Sequence, residues 1–376
     1  MVEVVDVIQS IFLESYKQVE RPMPLSQMKA ASNIMACRTA TMGGRVHRCP
    51  SGEEGHDLCI LYNSCHYRNC PQCNLMPRLK WLEKYQERLL NCSHRQVVFT
   101  VPHELNRLWL HNTKELSNLL FTSVSNTLKS FLTDEKWLGA KAGYSLVLHT
   151  WGRNLSLHPH IHAVITEGGL SRDGKWVEPN YDCFLPAEAM MRKFRGAYIS
   201  GIRKLIRENR LTMPEGQSIV QLRCILNKLY SEKKWNVRVE ESYSHGEGIV
   251  KYLSRYLKGR PIRSHQVKQS EEGVKLRYKD HRTGLIRWQP FSKEKFVSQL
   301  LIHTPPTSMA MIRHYGLYAS GCAKDREVAR KQLKKSIIDF DMEEYLKSQG
   351  IDRSEKCSVC GRQMRVTEIE KKKWVH

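Results

Sequence analysis

The placement of its cysteines constrains the fold of this 376-residue chain more than any other feature. Seven of twelve lie between Cys37 and Cys92, and two more form the pair Cys357/Cys360. The segment from Thr41 to Asn74 is rich in Gly, Cys and His and has little hydrophobic periodicity, so something other than an apolar core must hold it. The stretch from Met1 to Glu20 is acidic and amphipathic, without the basic start or cleavage site of an export signal. In a chain kept inside the cell, clustered cysteines read as metal ligands rather than disulfides. Cys70-Pro-Gln-Cys73, with Cys65 five residues upstream, forms a knuckle. A tetrahedral zinc needs four such donors. Cys49, Cys65, Cys70 and Cys73 are the expected set, with His56 and Cys59 as alternates and a second ion left open. Cys357-Ser-Val-Cys360-Gly361 looks like half of a zinc ribbon, either vestigial or sharing an ion with another segment, and is given no function.

Lys and Arg total 60 against 38 Asp and Glu, a formal net charge of +22. A hydrophobic fraction of 41% excludes a disordered basic tail, so this is a folded basic protein whose first partner to consider is nucleic acid. No apolar run approaches the ~20 residues of a membrane span.

Hydrophobic patterning divides the chain into an N-terminal part (1–92) with helices near 5–17, 26–37 and 75–90, a middle part (93–262) and a basic C-terminal part (263–376). In the middle part, strands at 95–101, 143–150, 160–166 and 235–241 alternate with helices at about 104–133, 187–209 and 247–258, with 175–178 as a hairpin partner. That order predicts an α+β fold with a central antiparallel sheet flanked by helices, beside a small N-terminal zinc-binding domain. The C-terminal part reads as a hairpin (274–278, 285–288), a helix at 293–303, a charged helix at 325–348 and the cysteine tail.

His158-Pro159-His160-Ile161-His162 carries the first chemistry. On a strand, His160 and His162 share a face. Two imidazoles hold a divalent ion if a third ligand arrives. His158 is the first choice for that ligand, although Pro159 is placed to end the strand. His149, His245 and Glu247 are the other candidates. The second constellation is Tyr252-Leu-Ser-Arg-Tyr256, two phenols on one helix face. From Lys251 to Lys295 there are 13 Lys/Arg against 4 Asp/Glu, with Tyr278, Trp288 and Phe291 interleaved. Cations for phosphates and rings for bases describe a single-strand surface, with Lys251, Arg255, Lys258, Arg260, Arg263 and Trp288 as its DNA-binding candidates. Together these give a mechanism: a His-bound Mg²⁺ or Mn²⁺ polarises a scissile phosphate, a tyrosine attacks to form a 5′-phosphotyrosine, and a 3′-OH is left.

His160-Ile161-His162 resembles the histidine–hydrophobic–histidine (HUH) motif of single-strand endonucleases, and Tyr252 with Tyr256 resembles the paired tyrosines of its rolling-circle transposases. The wider text is similar to IS-ninety-one-like insertion-sequence transposases. It includes Met35-Ala-Cys-Arg-Thr39, Tyr62-Asn-Ser-Cys65 with Arg68-Asn-Cys-Pro-Gln-Cys73, Phe99-Thr-Val-Pro102, Leu148-His-Thr-Trp-Gly152 and Arg313-His-Tyr-Gly-Leu317. One departure is Cys49-Pro-Ser-Gly52, where the family usually has a second C-x-x-C pair. The resemblance implies metal-dependent nicking and rejoining of single-stranded ends of a mobile element, hairpin-bearing ends and target DNA among its partners, and an N-terminal zinc domain. The expected setting is the bacterial cytoplasm, at the nucleoid. Two other readings remain: a plasmid replication initiator or relaxase, which keeps the chemistry, and a non-catalytic zinc-finger regulator, which leaves the histidines and tyrosines unexplained.

Overall fold

The computed structural model describes residues 6–67, 70–73, 75–179, 185–231, 235–243, 260–280, 283–333, 341–348 and 355–370. Its strands are β1 (Gly44–Arg48), β2 (Leu58–Tyr62), β3 (His94–Thr100), β4 (Lys141–Trp151), β5 (Leu157–Leu170), β6 (Trp176–Val177), β7 (Val237–Tyr243), β8 (Val267–Ser270), β9 (Gly273–Lys279), β10 (Ile286–Phe291), β11 (Ile312–Gly316) and β12 (Arg365–Ile369). The main helices are α1 (Val7–Ser15), α2 (Leu25–Ala36), α3 (Leu75–Gln86), α4 (Asn106–His111), α5 (Thr113–Leu132), α6 (Ala187–Arg207), α7 (Ile219–Ser231) and α8 (Lys293–Leu301).

The central sheet runs β11-β4-β5-β3-β7 with β6 on β5, and its pairings are antiparallel. Strand periodicity of two sends alternate residues to opposite faces. Ile161, Ala163 and Ile165 of β5 enter the main core, formed with α5, α6 and α7. Val164 and Val147 pack on the other face against Leu82 and Tyr85 of α3. His160 and His162 belong to this second face. Helix α6 fits its place: Met190, Phe194, Tyr198, Ile202 and Leu205 are buried at helical spacing. Gly201 brings α6 close to α5, since a Cβ there would collide with the Leu119 side chain.

A second core unites α1 and α2 with Cys37, Cys70 and Cys73 and with Ile262, Val274, Leu276, Phe296 and Leu300 from much later in the chain. Asp6 starts α1 by accepting from Ile8 N at 2.9 Å. Two smaller sheets complete the architecture, β12-β1-β2 and β10-β9-β8. The sequence-drawn boundary at 263 is therefore crossed: α8 and β9 pack with the N-terminal helices, β11 joins the central sheet, and β12 pairs with β1.

Several elements differ from the sequence reading. The long helix at 104–133 is broken at Asn112, whose side chain donates to Leu108 O and Thr212 O and accepts from Thr212 N. The charged helix at 325–348 is represented by helices Ala323–Leu333 and Met342–Ser348. The histidine strand does not stop at Pro159 but begins at Leu157. The register against β4 slips there, with His149 opposite His160 but Trp151 opposite Leu157. The extra residue on β5 is a bulge, and a bulge tolerates a proline that donates no ladder bond.

Candidate metal centres and active site

His149, His160 and His162 each direct a ring nitrogen to one point, the three atoms lying within 4.8 Å of one another. All three residues are buried. The His160 and His162 Nε2 atoms are 3.1 Å apart, the separation of two donors in adjacent corners of one coordination shell with bonds of about 2.0–2.1 Å. The arrangement is built by the sheet. His160 and His162 alternate on β5, and His149 faces His160 across the β4–β5 ladder. His158 is not brought into this group, because the bulge at 158–159 breaks the alternation that would have aligned it. Its backbone contributes instead: His160 Nδ1–H donates to His158 O at 2.6 Å, which leaves Nε2 as the lone-pair nitrogen. Of the other candidates for third donor, His245 and Glu247 lie outside the described residues, as do Tyr252 and Tyr256.

Gln96 of β3 supports His162. Its Nε2 donates to His162 Nδ1 at 2.7 Å, and Tyr243 Oη donates to Gln96 Oε1 at 3.2 Å. Turning the amide over presents Oε1 to Nδ1–H and frees His162 Nε2 as a donor to a metal. Burial pushes His160 down to about 4 and His162 well below its ordinary value, with nearby histidines lowering His162 further. The imidazoles are thus neutral, as ligands must be. Sequence reading did not single out Gln96; its signal is its place on β3, opposite Val164 and beside the histidine pair.

The cysteines form two groups, and the structure redraws the expected set. Cys65, Cys70 and Cys73 are joined by Cys37, with their four Sγ atoms within 4.8 Å and Cys65 Sγ 3.5 Å from Cys73 Sγ. Cys37 caps the end of α2, and Gln9 of α1 donates to its carbonyl at 2.9 Å, so the N-terminal helices position this fourth thiol. Hydrogen bonds from Cys37, Cys65 and Cys70 hold Cys73 well below the ordinary thiol value, while neighbouring thiols push Cys70 up. Four thiols so crowded fit a tetrahedral zinc. Cys49 is elsewhere, grouped with His56, Cys357 and Cys360. Cys59 lies on β2 opposite His47 and belongs to neither group. The missed residue Cys37 had a visible signal in Met35-Ala-Cys-Arg-Thr39.

Of the DNA-binding candidates, Lys251, Arg255 and Lys258 lie outside the described residues. Arg260 and Arg263 gather with Arg78 of α3. Burial first, and then the charges of Arg78 and Arg263, lower the Arg260 guanidinium from its ordinary value. Arg78 Nε and Arg260 Nη1 are buried, with no acceptor among the described residues. Trp288 of β10 is 40% exposed, and Lys268 Nζ lies 5.2 Å from its ring centroid. Lys268, Lys275, Trp288 and Pro290 line a groove of about 530 Å³. Among the described residues, no helix is long and apolar enough to cross a membrane.

Residues 143–326 match a family model described as "Putative transposase", and residues 8–101 match one described as "Transposase zinc-binding domain". The chain is 31% identical over 320 residues to "Putative transposase y4qJ" of Sinorhizobium fredii, covering 84% of this chain and 79% of that protein. It is 28% identical over 306 residues to "Transposase for insertion sequence element IS801" of Pseudomonas savastanoi pv. phaseolicola, covering 78% and 70% respectively. No solved structure matches.

Proposed function

The chain belongs to the IS91-type insertion-sequence transposases, and from that premise we propose that it nicks and rejoins single-stranded DNA at mobile-element ends through 5′-phosphotyrosine intermediates. The observation that carries this reading is the convergence of His149, His160 and His162 on one buried point of the central sheet. Packing alone gives no reason for three imidazoles to aim their nitrogens at one another, whereas a divalent ion accounts for all three. The family membership takes the place of the initiator, relaxase and regulator readings.

Of the two expected ions, the donor set favours one. Mg²⁺ prefers oxygen ligands and dehydrates reluctantly, so an all-imidazole site suits Mn²⁺ better. When bound, the ion supplies positive charge beside a scissile phosphate. His149, His160 and His162 would hold it from the sheet, His160 oriented by the His158 carbonyl and His162 by Gln96. Tyr252 and Tyr256, outside the described residues, are the proposed nucleophiles. Tyr243 ends β7 with its hydroxyl on Gln96, and Tyr252 follows nine residues later in the sequence, few enough for a nucleophile of this site.

In the proposed reaction Tyr252 Oη bonds to phosphorus as its proton passes to solvent, the bond from phosphorus to the 3′ oxygen breaks, and that oxygen takes a proton from solvent and leaves as a 3′-OH. The phosphodiester energy stays in the phosphotyrosine, so a later 3′-OH can reverse the step. Tyr256 takes a second end without release of the first. In this reading the guanidinium groups of Arg78 and Arg260 bind backbone phosphates, and the exposed Trp288 face stacks a base. Residues 93–262 carry the chemistry in this reading, and the flanking segments hold the strand. The test is Mn²⁺-dependent cleavage of labelled single-stranded element ends. His160→Ala abolishes it under this proposal, and unchanged cleavage in that variant refutes it.

A further inference from the structure

The Cys49 group joins segments about 300 residues apart. Cys49 follows directly on β1, and Cys357 and Cys360 precede β12, which pairs antiparallel with β1 from Arg48–Arg365 to Gly44–Ile369. At Cys49 the chain turns, with Gly52 N donating to Cys49 O at 3.3 Å. The position where a C-x-x-C pair would carry its second thiol is Gly52, with nothing within 4 Å of a Cβ built there. The tail supplies the thiols that Gly52 does not. A second turn, closed by Gly361 N donating to Cys357 O at 2.9 Å, presents Cys357 and Cys360.

The distances are those of a closed tetrahedral site. Cys49 Sγ is 3.3 Å from His56 Nδ1 and 3.5 Å from Cys360 Sγ, and Cys357 Sγ is 3.7 Å from His56 Nδ1. Bonds of about 2.3 Å to sulfur and about 2.0–2.1 Å to nitrogen give tetrahedron edges of about 3.5–3.8 Å. His56 Nε2–H donates to the Glu53 carboxylate at 3.2 Å, so Nδ1 is the nitrogen turned to the thiols. Asp57 accepts from both the backbone N and the hydroxyl of Ser358, latching the second turn to the first.

We infer that Cys49, His56, Cys357 and Cys360 form a second structural zinc site, separate from the Cys37 group, and that its ion fastens β12 to the N-terminal sheet. Two of its four donors lie far beyond the matched zinc-binding segment, which ends at residue 101. A metal that joins distant segments contributes its binding energy to their association.

The test uses the full-length chain purified under reducing conditions without chelator. Zinc per chain is measured by elemental analysis for the parent, for Cys357→Ser/Cys360→Ser and for a control, Cys224→Ser. The double variant loses one zinc per chain and keeps the remainder; the control loses none. Zinc content equal to that of the parent in the double variant overturns the inference. Hydrogen exchange on the unmutated chain guards against a variant that fails to fold. Stepwise chelation should release one zinc together with amide protection at 44–48 and 365–369, while β3 stays protected. Full protection of 365–369 after all zinc has left also overturns it.

Discussion

His149 stands directly opposite His160 across the β4–β5 ladder, and His160 Nε2 lies 3.1 Å from His162 Nε2. Three candidate ligand atoms are thereby set by a register that the main core enforces on the opposite face, through Leu148, Ile161 and Ala163. Slipping that register by one residue would turn the histidines into the apolar core and move apolar side chains to the face of the site.

His149→Ala should therefore lower Mn²⁺ affinity and cleavage by at least about 100-fold, while His158→Ala, which keeps the carbonyl that orients His160, should stay within about 10-fold of the parent. Calorimetric titration with Mn²⁺ and single-strand cleavage check both. Equal losses in the two variants would return His158 to the ligand set.

Gln96→Leu removes the group that orients His162 and should weaken Mn²⁺ binding about 10–100-fold. Gln96→Glu supplies an acceptor for His162 Nδ1–H and should retain or improve binding. The contrast separates orientation from mere packing.

His303 is buried, accepting at Nδ1 from Thr150 and donating from Nε2 to Leu155 O at 3.0 Å. Burial pushes it from 6.5 down to about 4. The folded state thus binds fewer protons than the unfolded state between these values, so stability rises with pH across that window. It is fully present above 6.5 and falls as pH drops toward 4, with a contribution on the order of 3 kcal/mol. In His303→Gln the midpoint of denaturant unfolding should lose about one proton's worth of this pH dependence. A slope identical to the parent's would contradict the assignment.

Arg260→Gln should weaken single-strand binding at low salt and reduce the slope of log K against log salt by about 0.7, one phosphate's share. Trp288→Ala should cost about 1–3 kcal/mol with little change in that slope, because stacking is not a counterion effect. Fluorescence anisotropy across a salt series measures both.

How far the sequence reveals this molecule depends on the range of each interaction. Strand alternation is local, so the central antiparallel sheet and the shared face of His160 and His162 were legible. The bulge at Pro159 was not, because it exists only as a register against β4; with it went the choice between His149 and His158. The cysteine knuckle was legible from spacing, but its fourth thiol depends on how α1 and α2 fold back. Cys357 and Cys360 looked like half of a site because the other half, Cys49 and His56, lies about 300 residues earlier. Strand β11 escaped notice because Arg313 and His314 are polar. They are held by Asn118 and Ser145, contacts that only the assembled sheet makes.

The central claim is the covalent step, and the most direct measurement is peptide mapping of the protein–DNA adduct formed with a single-stranded element end and Mn²⁺. The account places a 5′-phosphate on Tyr252 or Tyr256, with the adduct absent from the Tyr252→Phe/Tyr256→Phe double variant and from His160→Ala. Cleavage without any adduct, or an adduct that persists in the double variant, would contradict it.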